Sequence, residues 1–139
     1  MASFNKFNAF VEALAEKVHN LQSDVLKVML SNTAPSATNA VKTDITEITA
    51  GNGYTAGGTQ ATQVSSAQTT GTYKLVLNDV TFTAAGGSLA TFRYAVLYND
   101  TATNDELIGW WDYGSAVTIT NGNSFTVDFD GTNGVLTIT

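Results

Sequence analysis

The residues best suited to chemistry in this chain are a single histidine and a few carboxylates. His19 is the only histidine among 139 residues, and there is no cysteine. A Ser-His-Asp triad needs its histidine held between a nucleophile and a carboxylate. The hydrophobic pattern instead places His19 near the end of an N-terminal helix, where a protonated imidazole complements the helix dipole. We therefore interpret His19 as structural, and we expect neither thiolate catalysis nor a zinc site built on cysteine or several histidines.

Pairs of carboxylates are the other candidates, because glycoside hydrolysis uses two of them. The ones we consider are Asp105, Glu106, Asp112, Asp128 and Asp130. Asp128 and Asp130 share one face of a predicted strand, and Asp130 begins a predicted turn, where acidic side chains are usually solvated. With Asn133 they offer oxygen ligands for calcium, but the spacing does not match the twelve-residue calcium loop. We predict no catalytic residue, no cofactor and no metal site, and hence a protein that is not an enzyme.

The most distinctive local feature is the run Trp110-Trp111-Asp112-Tyr113. Neighbouring residues of a strand point to opposite faces, so Trp110 and Trp111 cannot enter the same core. We expect one of them to be buried and the other to lie on the outer face, or under the N-terminal helix or a partner. Cover within the chain, contact with another subunit or a capsid, and stacking on a sugar ring all remain open for the outer tryptophan.

One amphipathic helix is predicted over the N-terminal segment, residues 1–22. Its apolar face is Phe7, Phe10, Val11, Leu14, Val18 and Leu21, which follows helical spacing. Ser3 is a suitable N-cap, and the helix is expected to end near His19. This helix either covers the core or forms an assembly arm. The predicted partner contacts are Phe7, Phe10, Leu14, Trp110, Trp111 and Tyr113.

Residues 23–139 are predicted to form a β domain. The predicted strands are 25–30, 61–66, 72–77, 80–83, 90–98, 107–113, 116–120, 124–129 and 135–139. Phe92, Tyr94, Val96 and Tyr98 alternate on one face of their strand. The glycine-rich segment 51–58 lacks the Lys-Ser/Thr pair of a phosphate loop and is predicted to be a loop anchored by Tyr54. Strands at this spacing predict a mostly β fold, an antiparallel sandwich or a jelly-roll-like barrel, with one N-terminal helix.

The amino-acid composition narrows the classes of binding partner that we expect. The net charge is −6, and the six lysines and arginines are scattered along the chain. Nucleic-acid binding requires clustered positive charge, so we expect neither nucleic acid nor an anionic membrane as a partner. No signal peptide or membrane-spanning run is apparent, which predicts synthesis in the cytoplasm of the producing cell.

Several stretches together resemble a family of small proteins encoded in the structural-gene region of tailed bacteriophages. They are residues 28–30, 44–48, 53–58, 79–82, 93–100, 107–114, 125–129 and 133–136. The most recognisable are Gly53-Tyr54-Thr55-Ala56-Gly57-Gly58 and Asn133-Gly134-Val135-Leu136. The resemblance covers roughly residues 24–139 and leaves out the N-terminal helix.

The resemblance implies a structural component of the virion. It is similar to capsid decoration, or cement, proteins, which implies binding to the major capsid protein on the head surface and assembly as a homo-oligomer, with a trimer favoured. A host-receptor or glycan-binding module of the tail or head surface is the alternative. The resemblance brings no catalytic residues with it.

Overall fold

The computed structural model describes residues 2–139, which form mainly antiparallel β-strands and one short helix. The helix, α1, is Ala9–Ala15, and a 3₁₀ turn covers Lys42–Asp44. The strands are β1 (Asn5–Lys6), β2 (Leu26–Ser31), β3 (Thr59–Gln60), β4 (Gln63–Thr69), β5 (Thr72–Leu77), β6 (Val80–Thr83), β7 (Phe92–Asn99), β8 (Leu107–Val117), β9 (Ser124–Val127) and β10 (Leu136–Ile138). The predicted class, a mostly β sandwich-like fold with one N-terminal helix, is confirmed.

Three antiparallel sheets make up the sandwich. The largest has five strands in the order β1-β8-β7-β2-β3. The second has the order β10-β5-β4, and the third contains β6 and β9. The long pairings of β2 with β7 and of β7 with β8 hold the centre of the large sheet.

Both faces of the large sheet are covered. On β2, Leu26, Val28 and Leu30 enter the larger core with side chains of the two smaller sheets. Met29, between them, points the other way into a smaller core with Phe7 and other residues. This alternation follows from the two-residue period of a strand. Burial on both faces explains why Val28, Met29 and Leu30 are consecutive apolar residues.

The prediction for β7 is wrong at its first residue. Phe92 lies in the larger core, whereas Val96 and Tyr98 lie in the smaller one. The cause is an irregularity in the pairing with β8, where Phe92 pairs with Val117 but Tyr94 pairs with Asp112. Residues 113–116 of β8 therefore stand opposite Arg93 alone. A bulge bends and twists the ladder locally, so residues of β7 on its two sides need not share a face.

The N-terminal helix is shorter than predicted. It begins after Asn8, not Ser3, and ends at Ala15. Lys17 has φ +66°, and the N–H of Val18 bonds to the carbonyl of Ala13 at 2.8 Å. This is a Schellman closure, which stops the helix before Leu21. Residues 5–6, which were predicted to be helical, instead pair with β8.

Two residues of the predicted apolar helix face also lie elsewhere in the structure than predicted. Leu21 is buried but reaches the core from the turns that follow the helix. Val11, assigned to the buried face, is 52% exposed. A single short helix buries only Phe10 fully, so the continuous stripe in the sequence overstated how much of this segment is helical.

Candidate functional site

The two tryptophans point to opposite faces of β8, as predicted. Trp110 packs against the smaller core, with its ring centroid 4.5 Å from that of Phe7. Trp111 packs against the larger core, 5.3 Å from the ring of Phe4. Both are half-buried, because each lies under a phenylalanine from the N-terminal segment. The expectation of one buried and one outer tryptophan is therefore replaced by two covered ones.

The helix residues predicted as contacts lie inside the chain. Phe7 is 0% exposed and Phe10 is 4% exposed, and Leu14 is partly buried against the larger core. In this conformation the two phenylalanines present no surface to a partner. Of the predicted contact residues, Tyr113 is the exposed one, at 57%. The helical pattern could not separate these outcomes, because a core face and a docking face share one periodicity.

An aromatic groove of about 530 Å³ opens beside Tyr113, between β7 and β8 on one side and the segment from β9 to Gly134 on the other. Its aromatic lining is Phe4, Phe92, Tyr94, Trp111, Tyr113, Phe125 and Phe129. Tyr113 meets Phe125 edge-on at 5.4 Å, and Trp111 lies 5.3 Å from Phe129. These contacts hold the rings in fixed positions around the groove, as tilted and edge-on aromatic pairs favour.

The β8 bulge places Tyr113 at the groove, and Asp112 fixes the bulge. Arg93 Nε donates to Asp112 Oδ1 at 2.7 Å, and Nη2 donates to Oδ2 at 2.9 Å. The N–H of Gly114 also donates to Oδ1, at 2.8 Å. These hydrogen bonds, first from Arg93 and then from Gly114, lower the pKa of Asp112. The carboxylate is therefore charged at neutral pH and already paired.

Asp130, which lines the groove, is a second acidic side chain held in a defined geometry. It accepts hydrogen bonds from the N–H groups of Thr132 and Asn133, at 2.8 and 2.7 Å, and from the Asn133 amide. The bonds from Asn133, ahead of that from Thr132, lower the pKa of Asp130. The pKa of Asp112 and the pKa of Asp130 are both lowered, whereas a general acid that works at neutral pH needs a raised pKa. Within residues 2–139, no group of three His, Asp or Glu side chains is arranged to hold a metal ion.

The glycine-rich segment is a loop anchored by Tyr54, as predicted. The Tyr54 hydroxyl donates to Glu47 Oε1 at 2.7 Å and accepts from the N–H of Leu30 at 3.1 Å. The Gly57 N–H donates to the same Glu47 oxygen, and the Gly57 carbonyl accepts from Tyr98 at 2.7 Å. Burial raises the pKa of both tyrosines, so they remain protonated donors. This network fixes the loop beside β2 and leaves its hydroxyls occupied.

His19 belongs to a buried network that sequence reasoning missed. Its Nδ1 lies 3.1 Å from Asn99 Nδ2, which also donates to Asp24 Oδ2 at 2.6 Å. The side-chain oxygen of Asn99, Oδ1, accepts the N–H groups of Thr101 and Ala102, at 2.9 and 3.2 Å. Asn99 therefore presents its amide to His19, and Nδ1 must be the acceptor. No sequence motif joins residues 80 and 75 positions apart.

The proton of neutral His19 consequently sits on Nε2. That nitrogen is buried and has no hydrogen-bond partner within residues 2–139. Burial lowers the pKa of His19, while Glu106 and Asp24 act in the opposite direction. The ring also packs 5.4 Å from Phe10. The arrangement supports the structural interpretation of His19, since the acceptor nitrogen faces an amide rather than a nucleophile.

The architecture defines a sandwich-like antiparallel β protein with an aromatic groove at a strand bulge. Comparison of the chain with protein-family models, with curated proteins and with solved structures finds no match. Across residues 2–139, no helix is long and apolar enough to cross a bilayer.

Proposed function

We propose that this protein is a structural component of a tailed-bacteriophage particle, a decoration protein that binds the major capsid protein and stabilises the head. It would be made in the host cytoplasm and reside on the capsid surface. The proposal starts from the resemblance carried by segments such as 53–58 and 133–136. The structural observation that supports it most is the aromatic groove with Tyr113 exposed at its rim.

A groove of this kind suits contact with another protein. Tyrosine, tryptophan and arginine dominate the binding energy of protein interfaces, and an apolar side chain of the partner fits between aromatic walls. Tyr113 and Trp111 are held by ring contacts, and Arg93 by its pair with Asp112. Because these groups are ordered before binding, little side-chain entropy is lost when a partner docks.

Head stabilisation would be multivalent. Copies of the protein that bridge neighbouring capsomers gain avidity without any single strong contact. Each groove then needs only modest affinity. The proposed role involves no catalytic step, cofactor, nucleic acid or membrane.

Replacement of Tyr113 tests the contact. Tyr113→Ala removes an exposed ring whose packing partner is Phe125, so the fold should persist while attachment to expanded heads weakens. The loss of a hot-spot aromatic is expected to cost about 2 kcal/mol of binding, or roughly thirtyfold in affinity. Co-sedimentation with purified heads measures the attachment. Val11→Ala is the matched control, since Val11 is also exposed but does not line the groove.

Immunogold electron microscopy tests the location. An antibody raised against the chain should label the heads of intact phage in many copies. Label confined to the tail or neck would reject the capsid assignment. Unchanged binding of the Tyr113→Ala protein would reject the groove as the contact while leaving the location open to this second measurement.

Glycan binding is the second candidate, and one observation favours it. The exposed ring of Tyr113 shares the lining of the groove with Arg93 and Asp128. An aromatic face next to charged hydrogen-bonding groups is able to stack on a sugar ring and bond its hydroxyls. This alternative predicts that the free protein binds host cells or their surface polysaccharide, whereas a decoration protein binds only heads.

A further inference from the structure

Strand β4 forms the longest regular free edge among residues 2–139. It is the outer strand of the sheet β10-β5-β4, and β5 is its hydrogen-bonded neighbour. From Ser65 to Thr69 the ladder with β5 is regular, and every residue of this stretch except Ser66 is exposed. An unpaired edge presents a row of N–H and C=O groups that can pair with another strand.

This edge lacks the usual protection. Edge strands are commonly guarded by short length, bulges, charges or proline. The edge strands β1 and β3 have two residues each, and β10 has three. The free part of β8 is bulged. β4 has seven residues, Gln63 to Thr69, without a charged residue or proline, and its one bulge lies at the end near Gln63.

The turn determines which backbone groups point outward. Thr69 and Thr72 flank a turn whose central residues, Thr70 and Gly71, have φ +50° and +85°. Positive φ at both positions marks a type I′ turn, which closes on a hydrogen-bonded pair. In an antiparallel ladder such pairs alternate with non-hydrogen-bonded ones. Thr69 and Ala67 therefore bond to β5 through their backbone, whereas Gln68 and Ser66 do not. The backbone groups of Ser66 and Gln68 therefore face away from β5.

We propose that β4 pairs antiparallel with β4 of a second copy of this chain, about a two-fold axis at Ala67. Ser66 then exchanges backbone hydrogen bonds with Gln68 of the partner subunit, and the symmetry repeats the exchange. The two Ala67 residues face each other as a non-hydrogen-bonded pair, where side chains approach closely. The contact joins the two three-stranded sheets into one sheet of six.

Charge makes this edge the favoured place for two copies to meet. Two copies repel each other overall, because each carries a net charge of −6. The β4 edge carries no charge, so like strands meet there without opposing like charges. The contact is isologous and gives a dimer, whereas the resemblance implies a trimer. It lies outside the aromatic groove, so its test is independent of the proposed capsid contact.

The first test is a concentration series of the purified protein in analytical ultracentrifugation. We expect a monomer–dimer equilibrium that Ala67→Glu shifts at least tenfold toward monomer, because two glutamates would then face each other. Ala67 and Thr137 are both cross-strand neighbours of Lys74, on opposite sides of it. Thr137→Glu therefore adds the same charge beside the same lysine and should leave the equilibrium unchanged. A monomer at every concentration, or a trimer, overturns the proposal.

Cross-linking provides the second test. The chain has no cysteine, so a single introduced thiol can form only an intermolecular disulfide. Facing residues of a non-hydrogen-bonded pair have Cα atoms about 4.5 Å apart, within the range for a disulfide. Mild oxidation should cross-link the Ala67→Cys protein and not the Thr137→Cys protein. A dimer in which Ala67→Cys fails to cross-link, or in which both variants cross-link equally, overturns this edge as the interface.

Discussion

At the scale of single residues, His19 is a buried group with a fixed proton. The Asn99 amide must donate to Nδ1, because its oxygen already accepts two backbone N–H groups. Protonation of Nδ1 would place a second donor against that amide. The surroundings therefore favour neutral His19, in agreement with the lowering of its pKa by burial.

Folding stability should consequently fall as the pH drops below about 6.5, the ordinary histidine pKa. Below that pH the unfolded chain takes up a proton that folded His19 resists, so acid favours unfolding. The slope is at most about 1.4 kcal/mol per pH unit for one proton. Urea unfolding at pH 7.5 and 5.5 measures it. His19→Gln should flatten the dependence in this window, and an unchanged slope in that variant would assign it to other groups.

Gly58 is constrained by a close backbone approach as well as by its own conformation. It has φ +77°, and a Cβ built there would lie 1.8 Å from the carbonyl oxygen of Val28. Gly71 has φ +85° but nothing within 4 Å of a built Cβ. We expect Gly71→Ala to cost about 1 kcal/mol, the usual penalty of a left-handed conformation. Gly58→Ala should cost clearly more in urea unfolding, and equal costs would show that β2 yields to the added methyl group.

At the scale of elements, the N-terminal segment covers both faces of one strand. Phe4 lies over Trp111 on one face of β8, and Phe7 lies against Trp110 on the other. Between them, Asn5 and Lys6 pair with Trp110 and Gly109. The segment thus completes the large sheet and closes one side of the aromatic groove.

Phe7→Ala should therefore destabilise the whole fold. Phe7 is 0% exposed, and truncation of a buried phenylalanine costs about 3–5 kcal/mol. Chemical unfolding followed by tryptophan emission would measure the loss. Val11→Ala, in the adjacent helix but 52% exposed, should change stability by less than about 0.5 kcal/mol. A small effect of Phe7→Ala would mean that the N-terminal segment is dispensable to the sandwich.

Sequence periodicity located most elements but not their irregularities. The predicted strands 72–77 and 80–83 match β5 and β6, because each is bounded by turn residues. Segments 107–113 and 116–120 were predicted to be separate strands, yet one strand runs from Leu107 to Val117. Gly114 and Ser115 signal a break in the sequence, but they lie in a bulge that Asp112 and Arg93 hold together. A two-residue strand such as β1 has no period from which to predict it.

The candidate site, like the strands, could be predicted only in part from the sequence. The opposite orientation of Trp110 and Trp111 follows from strand geometry alone. The burial of Phe7 and the position of the groove do not follow from strand geometry. They depend on the pairing of β1 with β8, which lies about a hundred residues further along the chain. Side-chain pairs that far apart leave no local signal in a single sequence.

At the scale of the whole molecule, the strands are unevenly protected against local opening. β2 and β7 lie at the centre of the large sheet, with Val28, Leu30, Val96 and Leu97 all fully buried. The outer half of the β4–β5 hairpin is exposed along its free edge. A sandwich with one strongly covered sheet and one projecting hairpin should open locally at the hairpin before it unfolds.

Amide hydrogen exchange tests this order. Amides of β2 and β7 should exchange slowest, near the rate set by global unfolding, and those of Ser66 and Gln68 fastest among strand residues. Raising the protein concentration should slow exchange at Ser66 and Gln68 if the proposed two-fold pairing forms. Concentration-independent fast exchange at both positions would argue against that pairing.

The ladder between β1 and β8 also bears on the order of synthesis. Asn5 pairs with Trp110, so the segment that contains Asn5 waits for a strand made much later. Until β8 has been synthesised, Phe4 and Phe7 have neither tryptophan to pack against, and this segment stays undocked. Docking of this segment is therefore a late event in folding, because its contacts span most of the chain. A bulky fusion next to Phe4 would interfere with this docking. A fusion after β10 would not, because β10 pairs with β5 and does not line the groove.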